Sequence, residues 1–467
     1  MRKRKNIILE KLHIEDFAAE GKSLGKHEGK VVFVDHAVPG DIVDVRLQKN
    51  RKDWAEGQPV YFHEYSKDRV EPFCPHFGVC GGCQWQMLPY EKQLEYKQRQ
   101  VEEVLKRIGK VELPVTQPII GARQTKFYRN KIEYTFGNKR YLTREELNDP
   151  TISADQLTAG YHARGFFDKL VDIQTCFLQA EPTNELRLAV KNFAISKGWT
   201  FYDIREHTGF LRNMQVRLCT TGELMVNLVV GEDDEKKINE SMSFMGNEFP
   251  AITTLLYTIN KKWNDSLDGL APIVYQGKGY VIEKLEDFEF KIGPKSFFQT
   301  NTKQAEALYR ITRDLAELSG KEIVYDLFCG TGSIGIFLSR LAKKIIGVEM
   351  ISEAVKDARE NAAINDISKA TFFTGDVIDI CNDHFFAAHG KPDVIISDPP
   401  RAGMHEKLVR KILEIEAPIV VYVSCNPATQ ARDLNLLGEK YAVKNIQPVD
   451  MFPHTHHIEN IVQLKLH

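Results

Sequence analysis

Residues 322–338 read EIVYDLFCGTGSIGIFL. Ile323–Leu327 is an apolar run of strand length, and Gly330, Gly332 and Gly335 follow it with the spacing G-x-G-x-x-G. That spacing lets a backbone turn tightly from strand to helix and approach a ligand closely. Glu349, 19 residues after Gly330, closes the next apolar run, where a carboxylate accepts hydrogen bonds from ribose hydroxyls. A turn that served only the fold would need no acidic strand end at that distance. The pattern suits NAD as well as S-adenosylmethionine. Asp326, just ahead of the loop, and DPPRAG (398–403) are unexplained by a dinucleotide, and both suit a cationic sulfonium and a base that it methylates.

Around this stretch, helical and strand patterns alternate. NTKQAEALYRITRDLAELSG (301–320) sets Leu308, Ile311, Leu315 and Leu318 on one helical face, with Asn301 or Thr302 as N-cap and Gly320 as the stop. Apolar strands are predicted in EIVYDLF, KIIGVEM, ATFFTGD, DVIISD and PIVVYVSC, the first four each followed by helix or loop. Such alternation predicts an α/β fold with a doubly wound, mostly parallel sheet. Ligands bind at the carboxyl ends of such strands, and Glu349, Asp398 and Cys425 all fall there, so they are expected to converge on one crevice.

The N-terminal part reads differently. Residues 1–66 alternate short strands, such as Val31–Val34 and Ile42–Leu47, with turns like HAVPGD, the pattern of a small β-barrel. Its tip would carry Lys49, Arg51 and Lys52 beside Trp54, groups suited to phosphates and bases, although taken alone a solvated hairpin is the favoured reading of them. A charged helix is predicted through YEKQLEYKQRQVEEVLKRIG, stopping at Gly109. The 62 Lys and Arg nearly balance the 64 Asp and Glu over all 467 residues, yet Gln84–Arg140 holds twelve Lys and Arg against six Glu and no Asp. Positive charge is therefore local. Within that stretch KFYRNKIEYTF mixes Arg129 and Lys131 with Phe127, Tyr128, Tyr134 and Phe136, which fits RNA or an amphipathic strand. From there to about residue 290 the chain reads as strand-rich.

At 43% hydrophobic and 27% charged residues, the composition is that of a globular chain of about three domains. No apolar run approaches the ~20 residues of a membrane span, and Glu10 and Lys11 interrupt the opening before a signal-peptide core forms. The expectation is a cytoplasmic protein with no membrane partner. In that reducing compartment, eight cysteines read as metal ligands, nucleophiles or core residues rather than disulfides. Cys74, Cys80 and Cys83 form C-x5-C-x2-C, close enough for one metal centre, with Cys176 the leading candidate for a fourth thiolate. Four thiolates suit zinc or a [4Fe-4S] cluster, and spacing does not choose between them.

Cys425 ends an apolar strand in SCNPATQARDL and precedes a helix opened by Pro427, so the helix dipole and loop amides could stabilise a thiolate. A thiol there answers one specific demand. Carbon 5 of a pyrimidine is a poor nucleophile, so its methylation requires a thiolate to add first at carbon 6, and a base must later remove the carbon 5 proton. Glu459 in HTHHIEN is the candidate base, entering the last predicted strand where partial desolvation would raise its pKa. His454, His456 and His457 lack a nearby CxxC and read as structural or RNA-facing rather than as a zinc site.

CPHFGVCGGCQWQ, SFFQTN, DLFCGTG, SDPPRAG, SCNPATQARDL and HTHHIEN, in this order, resemble the bacterial RNA (uracil-5-)-methyltransferase family, in its 23S rRNA branch with a TRAM domain and an iron–sulfur cluster. The likeness spans nearly the whole chain. It implies an OB-like TRAM barrel over 1–66, a central [4Fe-4S] domain with an RNA-binding surface over 67–290, and a Rossmann-like methyltransferase domain over 291–467. It implies S-adenosylmethionine contacts from Gln299, Phe328, Glu349 and Asp398, with Cys425 as nucleophile and Glu459 as base. It also implies a [4Fe-4S] centre on Cys74, Cys80, Cys83 and Cys176. Phe328 stands where tyrosine is common, which keeps a stacking ring but loses a hydroxyl, and no ligand role is carried onto Ser333. The barrel segment lacks much of the usual TRAM glycine and basic pattern. The resulting expectation is a monomeric enzyme that methylates carbon 5 of a uridine in RNA, 23S rRNA before tRNA. The alternatives are a base-amino methyltransferase, disfavoured by Arg401 where an aromatic residue usually follows D-P-P, a non-catalytic RNA-binding assembly factor, and more distantly a NAD dehydrogenase.

Overall fold

The computed structural model describes residues 7–467; residues 1–6, which open both the predicted barrel segment and the stretch read for a signal peptide, lie outside the described residues. Five strands, Ile8–Phe17, Ser23–His27, Lys30–Val34, Ile42–Asn50 and Trp54–Glu64, close into a barrel. Alternate residues, among them Leu12, Ile14, Val32, Val34, Val43 and Val45, fill it. Lys30–Val34 and Trp54–Glu64 pair in parallel while the other neighbours are antiparallel, and closure removes every free strand edge.

A seven-stranded central sheet follows, with Lys131–Lys139 and Leu211–Leu218 at its middle. Two 14-residue helices, Thr183–Ser196 and Glu235–Glu248, cover one of its faces, so the stretch expected to be strand-rich is mixed. Tyr134 and Phe136 point into that helix-covered core, so the amphipathic-strand reading of KIEYTF holds and these two rings are unavailable to RNA.

The C-terminal sheet contains β1 (Ile323–Leu327), β2 (Lys344–Glu349), β3 (Ala370–Thr374), β4 (Val394–Ser397), β5 (Ile419–Ser424), β6 (Tyr441–Val449) and β7 (Glu459–Leu466), in the order β3-β2-β1-β4-β5-β7-β6. The first five run parallel, and β7 inserts antiparallel between β5 and β6. Both faces are covered, which is why the strands read as continuous apolar runs. Val324 and Ile345 pack toward helices Thr302–Leu315, Ser333–Leu338 and Ser352–Ile364, while Tyr325 and Ile346 pack toward Glu406–Ile415, Pro427–Leu437 and the charged helix Tyr90–Val104. A hairpin, Val281–Leu285 and Phe288–Ile292, begins before residue 291 and runs across it, and its apolar side chains share the first of these cores.

The helix expected to run to Gly320 ends at Leu315. Gln463 donates to the Leu315 carbonyl (2.7 Å) and to the Glu317 carboxylate (2.9 Å), and Glu317 turns left-handed (φ 51°), so a tertiary cap stops the helix one turn early. Among the described residues no helix is long and apolar enough to cross a membrane.

Candidate active site

The register of the C-terminal sheet assembles the site. Leu327 pairs with Val348 on one side and Ser397 on the other, so the next residues, Phe328, Glu349 and Asp398, stand side by side at the carboxyl edge. Ser397 pairs with Tyr422, and Ser424 with Asn460. One step beyond the last pair, Cys425 lies opposite Glu459. Phe328 adopts a left-handed φ of 63°, a strained conformation for a residue with a Cβ, at the point where the chain leaves β1 for the glycine loop.

Asp326 anchors that loop from below. Its fully buried carboxylate accepts from the Gly335 amide (2.8 Å), and burial pushes its pKa up to about 7. Gly332 must be glycine, because its φ is 78° and a Cβ would stand 3.0 Å from both Ala358 and the Phe372 ring. Gly330, by contrast, faces open space. Glu349 accepts from the Gly330 amide (3.1 Å) and from the Ile351 amide (2.9 Å), which fixes its carboxylate at the mouth of the loop. Open room before Gly330, a fixed carboxylate at the end of β2 and the aromatic Phe328 fit an adenosine-bearing ligand.

The Gln299 backbone carbonyl accepts from Asn130 (2.9 Å), which also donates to Thr302 (2.8 Å), while the Gln299 side-chain amide has no partner among the described residues. Asn301 caps the helix Thr302–Leu315 and donates to the Met451 carbonyl (2.9 Å).

The electrostatics of the reacting groups run against the sequence expectation for Cys425. Helix Pro427–Leu437 does begin beside it, capped by Asn426, but burial and the facing Glu459 and Asp398 carboxylates push the thiol up to about 11, against a smaller opposing pull from Arg401. The resting sulfur is a thiol. Burial raises Glu459 well above the usual carboxylate range, with Asp398 adding to the effect and Arg401 opposing it, and burial takes Asp398 up to about 7. Arg401, whose importance the sequence reading missed, faces both reacting groups and lies 3.2 Å from His457 Nδ1. Its position directly after D-P-P was the available signal. Phe297 was also missed. It stands 72% exposed two residues before Gln299, and the only sequence signal was the aromatic pair in SFFQTN, of which Phe298 is buried.

The histidine loop before β7 is a structural joint. The fully buried Gln93 accepts from the His454 amide (2.8 Å), and its side-chain nitrogen lies 3.1 Å from His454 Nδ1. Gln84 and Trp85 both donate backbone N–H groups to the His454 carbonyl, at 2.8 and 3.0 Å. Tyr128 donates to the Pro453 carbonyl (3.0 Å), and Lys97, wholly buried, pairs with buried Asp450 at 2.6 Å. Burial lowers His454 and His456 to about 4 and His457 to about 3, so all three are neutral near pH 7.

Cys74, Cys80, Cys83 and Cys176 line one pocket, together with Phe73, Phe77 and Phe177. Cys80 accepts from the Gly82 amide (3.4 Å) and Cys176 from the Tyr161 hydroxyl (3.7 Å). Burial raises all four thiols, Cys80 and Cys83 to about 12. Among the described residues no group of three or more His, Cys, Asp or Glu closes tightly enough to hold a single metal ion.

Residues 274–467 match the family model described as tRNA (uracil-5-)-methyltransferase, and residues 9–60 match the TRAM domain. An uncharacterized RNA methyltransferase of Bacteroides thetaiotaomicron is 51% identical over 96% of this chain and 100% of its own length. One from Chlorobaculum tepidum is 39% identical over 99% of this chain and 97% of its own. The crystal structure of Pyrococcus abyssi tRNA (uracil-54, C5)-methyltransferase in complex with S-adenosyl-L-homocysteine superposes with a TM-score of 0.75 at 26% identity, covering 97% of this chain and 100% of that one.

Proposed function

Because this chain belongs to the S-adenosylmethionine-dependent RNA (uracil-5-)-methyltransferase family, with an N-terminal TRAM domain, we propose that it methylates carbon 5 of a uridine in 23S rRNA through a transient bond to Cys425. The carrying observation is the β5–β7 register, which sets Cys425 against Glu459 at the edge that also bears Phe328, Glu349 and Asp398.

The target uracil must leave its stack to reach a recessed thiol, and Phe297 offers an exposed ring for it beside Gln299. Asp398, poised near pH 7 and facing Cys425, takes the thiol proton. The sulfur then bonds to carbon 6, and the electron pair released from the double bond makes carbon 5 nucleophilic. S-adenosylmethionine, when bound against Gln299, Phe328, Glu349 and Asp398, supplies the electrophilic methyl group. Glu459 then removes the carbon 5 proton, the ring double bond re-forms, and Cys425 leaves as a thiolate. Burial raises its pKa, which makes the Glu459 carboxylate, once ionised, a stronger base toward the carbon 5 proton.

We also propose that Cys74, Cys80, Cys83 and Cys176 hold a [4Fe-4S] cluster. Four cysteines lining one largely apolar pocket can supply a cluster with its thiolates, and hydrogen bonds to two of the sulfurs would tune it. The protein would act as a cytoplasmic monomer. The Pyrococcus abyssi neighbour acts on tRNA, which favours transfer RNA as the second reading of the substrate. Mapping 5-methyluridine in ribosomal and transfer RNA from a strain lacking the gene decides between them: loss confined to tRNA overturns the rRNA assignment. RNA bearing 5-fluorouridine at the lost position should trap a covalent complex with the protein and none with Cys425→Ala. Full methylation by that variant would overturn the mechanism.

A further inference from the structure

The motif SCNPATQARDL does more than carry Cys425. Asn426, Thr429 and Asp433 recur at three- and four-residue intervals, which sets them along one face of the helix Pro427–Leu437 and at its cap. Arg432 flanks that face. None of these four side chains has a part in the chemistry described above, and all four reach the loop that bears Arg401.

Arg401 sits exposed on the turn Pro400–Gly403, which the Gly403 amide closes by donating to the Pro400 carbonyl (2.8 Å). Among the described residues its guanidinium has one hydrogen-bond contact, His457 Nδ1, so its own contacts hold it only weakly. The backbone around it is held instead. Asn426 and Thr429 both donate to the Arg401 carbonyl, at 3.1 and 3.3 Å. Arg432 donates to the carbonyls of Ala402 (3.1 Å) and Met404 (2.9 Å), and Asp433 accepts from the Met404 amide (2.9 Å). Two nitrogens of Arg432 also meet one Asp433 oxygen, at 2.9 and 2.7 Å, while the other oxygen accepts from the Tyr422 hydroxyl of β5 (2.7 Å). Asp433 and Tyr422 are wholly buried. A buried carboxylate with a guanidinium, a hydroxyl and an amide on it is a stiff anchor, and a guanidinium fork bridges carbonyls in a fixed geometry that an ammonium lacks. The fit is close at Gly403: its φ is 75°, and a Cβ there would stand 2.8 Å from an Arg432 nitrogen and 2.9 Å from an Asp433 oxygen. Strand β5, the nucleophile, the helix after it and the Arg401 turn are therefore tied together. Facing Cys425 are Glu459 from β7 and Asp398 from the end of β4, which oppose its ionisation, and Arg401, which favours it. The place of the turn decides how much of that favourable charge the sulfur feels.

We propose that Arg432 and Asp433 are positioning residues for the nucleophile: they clamp the Pro400–Gly403 turn so that Arg401 is held against Cys425 and Glu459. This deepens the methyltransferase reading and rests on it, but its test uses neither RNA nor S-adenosylmethionine. Arg432 is the residue to change, because its side chain is half exposed and its loss leaves the buried Asp433 with two donors. Alkylation of Cys425 by iodoacetamide is followed in the full-length protein by mass spectrometry of the peptide that contains it. In Arg432→Ala the pH profile of alkylation should move upward by about half a unit, a reaction about threefold slower at pH 8. No further slowing is expected when Arg401→Ala is already present, because the clamp then has no charge to hold. Thr429→Val, which removes one hydrogen bond to the Arg401 carbonyl, should move the profile the same way by less. Equal slowing with and without Arg401, faster alkylation in both backgrounds, or an unmoved profile in Arg432→Ala and Thr429→Val would each overturn the clamp. The 5-fluorouridine adduct of the unaltered protein tests the reaction separately.

Discussion

A thiol with a pKa near 11 opposite two carboxylates is inert until something changes its surroundings, and the two charges that could do so are identifiable. Glu459→Gln removes the facing negative charge, so the Cys425 thiol should fall from about 11 and its alkylation by iodoacetamide at pH 8 should speed up, because a larger fraction of the sulfur is then thiolate. The same variant should accumulate methylated adduct on ordinary RNA because nothing removes the carbon 5 proton. Arg401→Ala should act in the opposite direction and slow alkylation, since the guanidinium favours the thiolate. Unchanged alkylation in both would mean that the electrostatic contacts across β5 and β7 are absent in solution. The sequence showed Cys425 and Glu459 as candidates because the chemistry of a pyrimidine demands a thiol and a base. It did not show that Cys425 rests protonated, because helix-start position is visible in a sequence whereas a carboxylate brought alongside by the antiparallel pairing of a later strand is not.

Whole elements were legible where burial leaves a periodic trace. The five parallel strands were readable because each is covered on both faces, and the helix Thr302–Leu315 because its N-cap and apolar face are local. The two central helices were overlooked although Leu186, Val190 and Ala194 carry helical spacing, since the flanking strands dominated the pattern. Least legible was the joint between Tyr90–Val104 and the histidine loop, where Lys97 and Asp450 meet across 353 residues. Both are fully buried, so Lys97→Met leaves the Asp450 carboxylate with the Tyr90 hydroxyl and the Phe452 amide but no counter-charge and should cost about 3–5 kcal/mol in urea unfolding. Adding Asp450→Asn should recover part of that loss, because the stranded charge goes with it. A loss within about 0.5 kcal/mol for Lys97→Met would show that the pair does not bind helix to loop. Gly332→Ala tests the glycine turn separately. Its φ of 78° and the 3.0 Å approach to Ala358 and Phe372 should destabilise the chain by about 1–2 kcal/mol and weaken S-adenosylmethionine binding.

At the scale of the whole molecule, the cysteine segment and the base of the active site are one connected structure. Cys83 is followed directly by Gln84 and Trp85, whose amides hold the His454 carbonyl, and Trp85 also donates to the Gly21 carbonyl of the barrel (3.1 Å). Phe17, Trp85 and Tyr96 pack where barrel, cysteine segment and helix meet. Five residues after His454 the chain enters β7 at Glu459. Disorder around the four cysteines should therefore reach both the catalytic base and the seating of the barrel. Anaerobically purified protein is expected to be brown with about four irons, and Cys80→Ser should lose the colour and the iron. The same variant should change Trp85 fluorescence, admit protease at residues 454–458 and methylate about 10- to 100-fold more slowly, with Cys425 still alkylated. Stoichiometric zinc in a colourless wild-type protein would overturn the cluster, whereas loss of iron with an unaltered Trp85 signal would instead separate the metal centre from the loop that positions Glu459.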